Sequence, residues 1–218
     1  MPNVPRVPPT LEIERRLFEA GQRWIAGVDE VGVGAIAGPV IAGAVVLPLD
    51  QGFEVLLEQL GEVRDSNHTK RYKHARLGHL IRQIASPDVA VGIVEVAELE
   101  KIRDQNRATT IASNRALAGL PHAPEVVLLD GGVSIDAAGF DVVQVPKVVG
   151  GTPALSIAAA SIVAMVAIAE VMSGYAERYP GFGFERHSGY PNSEHLDALA
   201  QFGRLPVHHS FHRFVQGR

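Results

Sequence analysis

Residues 24–39 join a hydrophobic strand directly to a glycine-rich turn, and this arrangement constrains the fold more than any other feature. The apolar run around Ile25 and Val28 predicts a buried β-strand. Asp29 and Glu30 follow at the edge of the core, where a carboxylate is destabilising unless a positive charge pairs with it. A divalent metal ion is the simplest such partner. The alternative is that both acids only face water.

Three glycines follow the acids with the spacing Gly-x-Gly-x-x-x-Gly. At Gly32, Gly34 and Gly38 the backbone can take positive φ or approach a ligand closely, because glycine has no Cβ. The spacing is one residue longer than a dinucleotide-binding fingerprint, and the neighbouring acids would repel a pyrophosphate. The turn therefore does not indicate a dinucleotide site.

The chain of 218 residues is long enough for one domain, or for one domain with a small helical appendage. The absence of cysteine excludes disulfide bonds and thiolate chemistry and fits a reducing compartment. Residues 1–10 form a proline-rich lead without the apolar core of a signal sequence. We therefore expect a cytoplasmic protein.

The net charge of −4 is unusual for a protein that binds nucleic acid, because phosphate binding draws on clustered Lys and Arg. Positive charge is nevertheless concentrated between residues 64 and 82. This segment is a candidate basic face, and a solvated helix is the alternative. Its cationic residues are Arg64, Lys70, Arg71, Lys73, Arg76 and Arg82.

Hydrophobic periodicity predicts an α/β chain without internal repeats or long linkers. Helices are predicted over residues 11–20, 53–60, 70–85 and 106–120. Besides the strand that ends at the acids, strands are predicted over residues 40–47, 89–96, 125–130 and 141–145.

The segment between Lys147 and Glu170 carries no charge, so hydropathy alone would suggest a membrane span. Glycines and Pro153 interrupt its first part and leave residues 155–169, which are fewer than the ~20 that a bilayer requires. We therefore predict a buried helix that packs on the sheet, and no contact with a membrane.

Several motifs resemble type 2 ribonuclease H, also called ribonuclease HII. Residues 27–40 are similar to the opening motif of that family, and the other motifs follow in the family's order between residues 11 and 214. They are the acidic strand at 128–131, the alanine-rich helix at 155–164, and the C-terminal segments 179–184, 187–190, 194–196 and 202–203.

The resemblance implies a ribonuclease H-like fold, with a mixed five-stranded sheet flanked by helices over residues 11–178 and a helical C-terminal extension over 179–218. Four acids of the family hold two Mg²⁺ or Mn²⁺ ions for an in-line attack on a phosphodiester. Three of them correspond to Asp29, Glu30 and Asp130, which are the expected catalytic and metal-binding residues. The implied substrate is RNA paired with DNA, cut on the 5′ side of a ribonucleotide to leave a 3′-OH and a 5′-phosphate.

Substrate-binding residues are also implied by the resemblance. The backbone of Gly32 and Gly34, on either side of Val33, would face the 2′-hydroxyl that distinguishes RNA from DNA. Tyr190 stands where the family stacks a tyrosine on a deoxyribose, and a core aromatic residue is its alternative role. Phosphate ligands could be replaced by Lys147 and Arg186, and the partner would be one duplex bound by a monomer.

The chain departs from the family at charged positions. The resemblance puts the fourth acid at Ala169; Glu170 follows it, about 100° away around a helix, and is the candidate compensating acid. Another expected acid is Gly151, and the expected basic residue of the turn is Val33. Further expected cations correspond to Asn67, Pro153, Met165 and Ile168.

Two classes of function remain open at this point, beside a third option of a relic with no active role. One is a metal-dependent endoribonuclease weakened by these losses. The other is a catalytically impaired paralogue that binds nucleic acid or a protein partner. A separate hypothesis concerns His208, His209 and His212, whose spacing suggests a zinc site, with a solvated or phosphate-facing tail as the alternative.

Overall fold

The computed structural model describes residues 8–131, 134–136, 139–146 and 153–216. Their centre is a mixed sheet of five strands, which confirms the sheet that the family resemblance implies. The strands are β1 (Ile25–Val31), β2 (Val40–Val46), β3 (Val89–Val94), β4 (Val126–Asp130) and β5 (Asp141–Val145). They lie in the order β3-β2-β1-β4-β5. The β1–β2 and β2–β3 pairs are antiparallel, and the β1–β4 and β4–β5 pairs are parallel.

Helices cover both faces of this sheet. Helix α5 packs on one face and helix α6 on the other, and each contacts β1 and β2. The helices are α1 (Glu12–Glu19), α2 (Phe53–Gln59), α3 (His74–Ala85), α4 (Val96–Ile102), α5 (Gln105–Ala118), α6 (Leu155–Arg178) and α7 (Ser193–Phe202).

The parallel pair β1–β4 determines where the acids meet. Its register pairs Val28 with Leu129, so the next residues of the two strands, Asp29 and Asp130, come side by side. Side chains alternate along a strand, which places Glu30 toward the opposite face from Asp29.

Glycines on the sheet allow α6 to lie unusually close to β1 and β2. A Cβ on Gly27 would lie 2.2 Å from the carbonyl carbon of Ser156, and a Cβ on Gly43 would lie 2.4 Å from the carbonyl oxygen of Ala160. Because both neighbours are backbone atoms, a larger residue at either position would push the helix off the sheet.

The N-terminus of α6 is capped from another helix. Glu14 of α1 is buried, and its Oε1 accepts hydrogen bonds from the Ser156 backbone N–H at 2.9 Å and from the Ser156 hydroxyl at 2.8 Å. A carboxylate is favourable at a helix N-terminus because unpaired N–H groups point at it. Burial nevertheless raises the pKa of Glu14.

Helix α6 is longer than the sequence prediction. It continues past Ala169 to Arg178 and has 24 residues, so shortness does not exclude a membrane span. By length and composition it could cross a bilayer, but 72% of its most apolar 18-residue window is buried inside the protein. Burial against the sheet, rather than length, therefore supports its role as a core helix.

The other predictions of secondary structure differ mainly at element ends. A 3₁₀ turn at residues 71–73 precedes α3, which begins at His74 rather than Lys70. Helix α4 lies where no helix was predicted, directly after β3. The described residues beyond 178 pack on the sheet through Phe182, Phe184 and Val207, which share a hydrophobic cluster with Val31 and Ile41.

Candidate active site

The predicted acids lie at the ends of the two central parallel strands. Asp29 is 8% exposed and Asp130 is 4% exposed, so both carboxylates are removed from bulk water. Burial and the charges of Glu30, Asp65 and Asp130 raise the pKa of Asp29 well above its usual range, while a hydrogen bond from Ser161 opposes the rise. We call Asp29, Glu30, Asp65 and Asp130 the acid cluster.

Asp65 is the member of this cluster that sequence analysis missed. It is buried, and its Oδ1 accepts a hydrogen bond from the Asn67 N–H at 2.8 Å. The adjacent Ser66 N–H donates to Ser161 Oγ at 2.9 Å, and the two serine hydroxyls are 2.7 Å apart. Ser161 of α6 is thus hydrogen-bonded both to Ser66, the neighbour of Asp65, and to Asp29. In the sequence, Asp65 is indistinguishable from an ordinary turn aspartate that bonds its own backbone.

The chemistry of the acid cluster fits a divalent cation. A buried carboxylate that is repelled by neighbouring carboxylates, as Asp29 is, gains from a positive ion that removes the repulsion. Within the described ranges, however, no three Asp, Glu, His or Cys side chains already stand as a coordination site. A bound ion would therefore have to draw the carboxylates of Asp29, Glu30 and Asp130 together.

The glycine turn is closed by two side chains from elsewhere in the chain. Gly32 and Gly34 have φ of +103° and +79°, which only glycine adopts readily. The Gly34 N–H donates to Gln105 Oε1 at 2.8 Å. Gly32 donates a backbone hydrogen bond to the hydroxyl of Tyr190. In this conformation both groups expected to face a 2′-hydroxyl are already hydrogen-bonded.

Tyr190 lies beside the acids. It is 39% exposed, and its ring comes within 3.9 Å of the position of a Cβ on Gly34. Burial raises the pKa of the Tyr190 hydroxyl, the hydrogen bond from Gly32 lowers it, and the charges of Glu30 and Asp29 raise it. A hydroxyl so close to two carboxylates is positioned to contact anything that binds there.

The remaining predicted site residues lie in different surroundings. Val33 is half-buried in the turn. Arg186 is exposed and forms ion pairs with Glu185 and Glu194, which raise its pKa. Lys147 lies outside the described residues, as does Gly151.

Glu170 is not among the charges that raise the pKa of Asp29. Ser161 is the α6 residue that bonds Asp29, and Glu170 is nine residues further on, about 13 Å along a helix with a rise of 1.5 Å per residue. Glu170 is exposed and, with Ala169 and Tyr190, lines a cavity of about 550 Å³. Compensation by Glu170 stays a prediction and would require a movement.

Buried histidines hold the backbone of Tyr190. His195 Nδ1–H donates to the Tyr190 carbonyl at 3.0 Å, and His208 Nε2–H donates to His195 Nε2 at 3.1 Å. His208 Nδ1 in turn accepts from the Leu205 N–H at 2.9 Å. The ring of His187 stacks on that of His195 with centroids 4.4 Å apart. We call His187, His195 and His208 the histidine cluster.

The zinc hypothesis for the C-terminal histidines is wrong. His208 points to His195, whereas His209 Nε2 donates to the Gly38 carbonyl at 2.6 Å. Gln105 Nε2 lies 3.2 Å from the other ring nitrogen of His209. The two neighbouring rings are thus committed to different partners and cannot share one ion with His212.

The candidate basic face is partly neutralised. Lys73 and Arg76 both pair with Glu62, and Arg71 donates to the Glu185 carbonyl at 2.7 Å. These contacts agree with a solvated helix surface at least as well as with a phosphate-binding one.

The sheet order and the flanking helices define a ribonuclease H-like fold. The crystal structure of the ribonuclease H2 from Pyrococcus horikoshii OT3 matches with a TM-score of 0.69 and 22% identity, over 88% of this chain and 95% of that one. Bst-RNase HIII in complex with Mn²⁺ matches with a TM-score of 0.71 and 20% identity, over 91% of this chain and 70% of that one. At these identities the similarity shows the fold.

Sequence comparison gives the family. The model of the family described as Ribonuclease HII matches residues 26–215. A ribonuclease HII of Synechococcus sp. (strain JA-3-3Ab) is 40% identical over 204 residues, which are 93% of this chain and 87% of the relative. One of Parvibaculum lavamentivorans is 39% identical over 193 residues, 87% of this chain and 66% of the relative. The chain belongs to the ribonuclease HII family, whose members are divalent-metal-dependent endoribonucleases that act on RNA/DNA hybrids.

Proposed function

We propose that this chain is an endoribonuclease that uses Mg²⁺ or Mn²⁺ to cut RNA in RNA/DNA hybrids, or a single ribonucleotide in duplex DNA. It cuts on the 5′ side of the ribonucleotide and leaves a 3′-OH and a 5′-phosphate. The observation that carries the proposal is that the parallel strands β1 and β4 bring the buried carboxylates of Asp29 and Asp130 side by side. Burial and the neighbouring carboxylates also raise the pKa of Asp29. Groups perturbed in this way concentrate at functional sites.

The metal would be held by Asp29, Glu30 and Asp130, which lie at adjacent strand ends. When bound, two such ions supply an activated water and stabilise the leaving oxygen of a phosphodiester. Ser161 orients Asp29 through its hydrogen bond, and Asp65 adds negative charge to the same place. These carboxylates would be more stable with a bound cation than buried without one.

Recognition of the ribose would use the glycine turn together with Tyr190. A 2′-hydroxyl both donates and accepts hydrogen bonds, so it can exchange with Tyr190 at Gly32 and with Gln105 at Gly34. The exchange requires small side-chain rotations and leaves the turn itself unchanged. Lys147 and Arg186 remain proposed phosphate ligands; Arg186 would first have to leave its two glutamates. We further propose a monomer in the cytoplasm.

A second candidate function is a catalytically impaired paralogue that binds nucleic acid or a protein partner. The separation of Glu170 from the acid cluster favours it, because three of the four expected acids then remain. The absence of a ready-made coordination site among the described residues points the same way.

Cleavage of a duplex DNA that carries one ribonucleotide separates the two candidates. Mg²⁺ and Mn²⁺ are compared, with Asp29→Asn as the control. Cutting 5′ to the ribonucleotide that is lost in the control supports the nuclease. Binding of the duplex without cutting supports the impaired paralogue, and neither binding nor cutting directs the search to protein partners.

A further inference from the structure

A polar cavity of about 310 Å³ opens beside the acid cluster, on the sheet face covered by α5. The strand ends and the glycine turn contribute Glu30, Val33 and Gly131 to its lining. The first turns of α5 contribute Asn106, Arg107 and Thr110. The cavity thus joins one of the proposed metal-binding carboxylates to a guanidinium.

The first turn of α5 is held firmly in place. Asp104 caps it, because its Oδ1 accepts from the N–H groups of Asn106 at 2.9 Å and Arg107 at 3.2 Å. Gln105, between the cap and Arg107, is tied to the glycine turn by the 2.8 Å bond from Gly34. The backbone of Arg107 therefore keeps a fixed position relative to the turn.

A cation at this place would add to the positive charge that the proposed metal ions bring to a phosphate. A phosphodiester that approaches several carboxylates is repelled unless positive charge lies nearby. The turn residues Gly32, Val33 and Gly34 supply none. Arg107 is exposed, and none of the ion pairs recorded within the described part of the chain involves it.

We infer that the Arg107 guanidinium binds a phosphate of the ribonucleotide-containing strand, in the cavity between α5 and the glycine turn. The planar guanidinium matches two phosphate oxygens, and the neighbouring Asn106 amide can donate to the same group. This inference rests on the proposed function and adds to it a substrate-binding residue from outside the acids, the turn and the C-terminal segment.

The test measures binding of a duplex with one ribonucleotide in the Asp29→Asn background, where cleavage does not interfere. Arg107→Gln should raise the Kd about tenfold. It should also reduce the magnitude of the slope of the logarithm of the association constant against the logarithm of the salt concentration by about 0.9, as expected for one lost phosphate contact. Arg178→Gln is the matched control, because Arg178 is exposed and lies about 25 Å along α6 from Ser161. It should change neither quantity.

A rescue variant distinguishes a lost phosphate contact from a misfolded helix. Val33→Arg, added to Arg107→Gln, places a cation in the same cavity. It should restore most of the lost affinity and most of the lost salt dependence of binding. Arg107→Gln with unchanged Kd and slope would overturn the inference and leave the nuclease proposal intact. Weaker binding without a change in slope, or without rescue, would also overturn it. Loss of both cutting and binding in the parent chain would overturn the inference and the proposed function together.

Discussion

The acid cluster and the histidine cluster are both buried, but they differ in how their polar atoms are satisfied. In the histidine cluster, His195 and His208 use all four ring nitrogens, each as a donor or an acceptor consistent with a neutral ring. In the acid cluster, burial and the charges of neighbouring carboxylates raise the pKa of Asp29. Hydrogen bonds between neutral rings stabilise the folded protein, whereas repulsion between buried carboxylates destabilises it and favours the binding of a cation.

Tyr190 connects the two clusters. Its carbonyl accepts from His195 at 3.0 Å, and its hydroxyl accepts from Gly32 beside Asp29 and Glu30. The histidine cluster therefore positions a residue of the candidate active site without contacting the acids. Substitutions in the two clusters should have opposite effects on stability.

Asp29→Asn should give the largest effect. It removes the buried charge, so we expect cleavage to fall by at least about 10³-fold, as for loss of a metal ligand in a two-metal site. The free energy of unfolding at pH 7 should rise by about 0.5–2 kcal/mol, because the repulsion with the other carboxylates is removed. Cleavage assays and urea unfolding measure the two quantities. A fall in stability would show that Asp29 is not under electrostatic repulsion.

His195→Leu should act in the opposite direction on stability. It leaves the Tyr190 carbonyl and the His208 Nε2–H buried without their present partners, so the free energy of unfolding should fall by about 2–4 kcal/mol in urea. His79→Gln, on the exposed surface of α3, is the control and should stay within about 0.5 kcal/mol. Equal effects of the two substitutions would contradict a structural role for the cluster.

The contributions of the two clusters to stability should also depend on pH in opposite directions. Burial lowers the pKa of His195 and of His208 to about 4, from 6.5. The unfolded chain then binds more protons than the folded one between these values, so the histidines' contribution is complete above pH 6.5 and is lost as pH falls toward 4. For Asp29, whose pKa is raised, acidification instead removes a destabilising charge.

Thermal unfolding between pH 4 and 8 tests these signs. At pH 8 the parent chain should unfold at a higher temperature than His195→Leu and at a lower temperature than Asp29→Asn. Both differences in unfolding temperature should become smaller as the pH falls. Parallel curves for the three proteins would contradict both pKa shifts.

Glu170→Gln should have the smallest effect. Because Glu170 is exposed and about 13 Å along α6 from Ser161, the cleavage rate should stay within about twofold of the parent. A loss above about tenfold would show that α6 or the acids move to bring Glu170 into the site. The acid cluster would then have to include Glu170 as a fifth, mobile carboxylate.

Much of the fold follows from local patterns. The alternation and apolar runs that end at Asp29 and Asp130 predict two buried strands, and the family resemblance supplies the sheet that the structure confirms. The end of α6 was missed because the helix stays regular after its apolar part, where polar residues give no stop signal before Arg178. Helix α4 was missed because it begins at Val96, separated from the end of β3 by one residue, and the strand prediction over residues 89–96 extends into it.

The sequence by itself determined which residues lie at the strand ends and in the turn, since adjacent residues share one strand and glycine alone tolerates the turn's φ values. Only the tertiary structure decided that Asp65 joins the acids and that Tyr190 and Gln105 bond the turn's N–H groups. It also decided that Arg107 and Glu30 line the same cavity. Such contacts join residues far apart in the chain. Periodicity reports only a residue's near neighbours, so it carries no information about them.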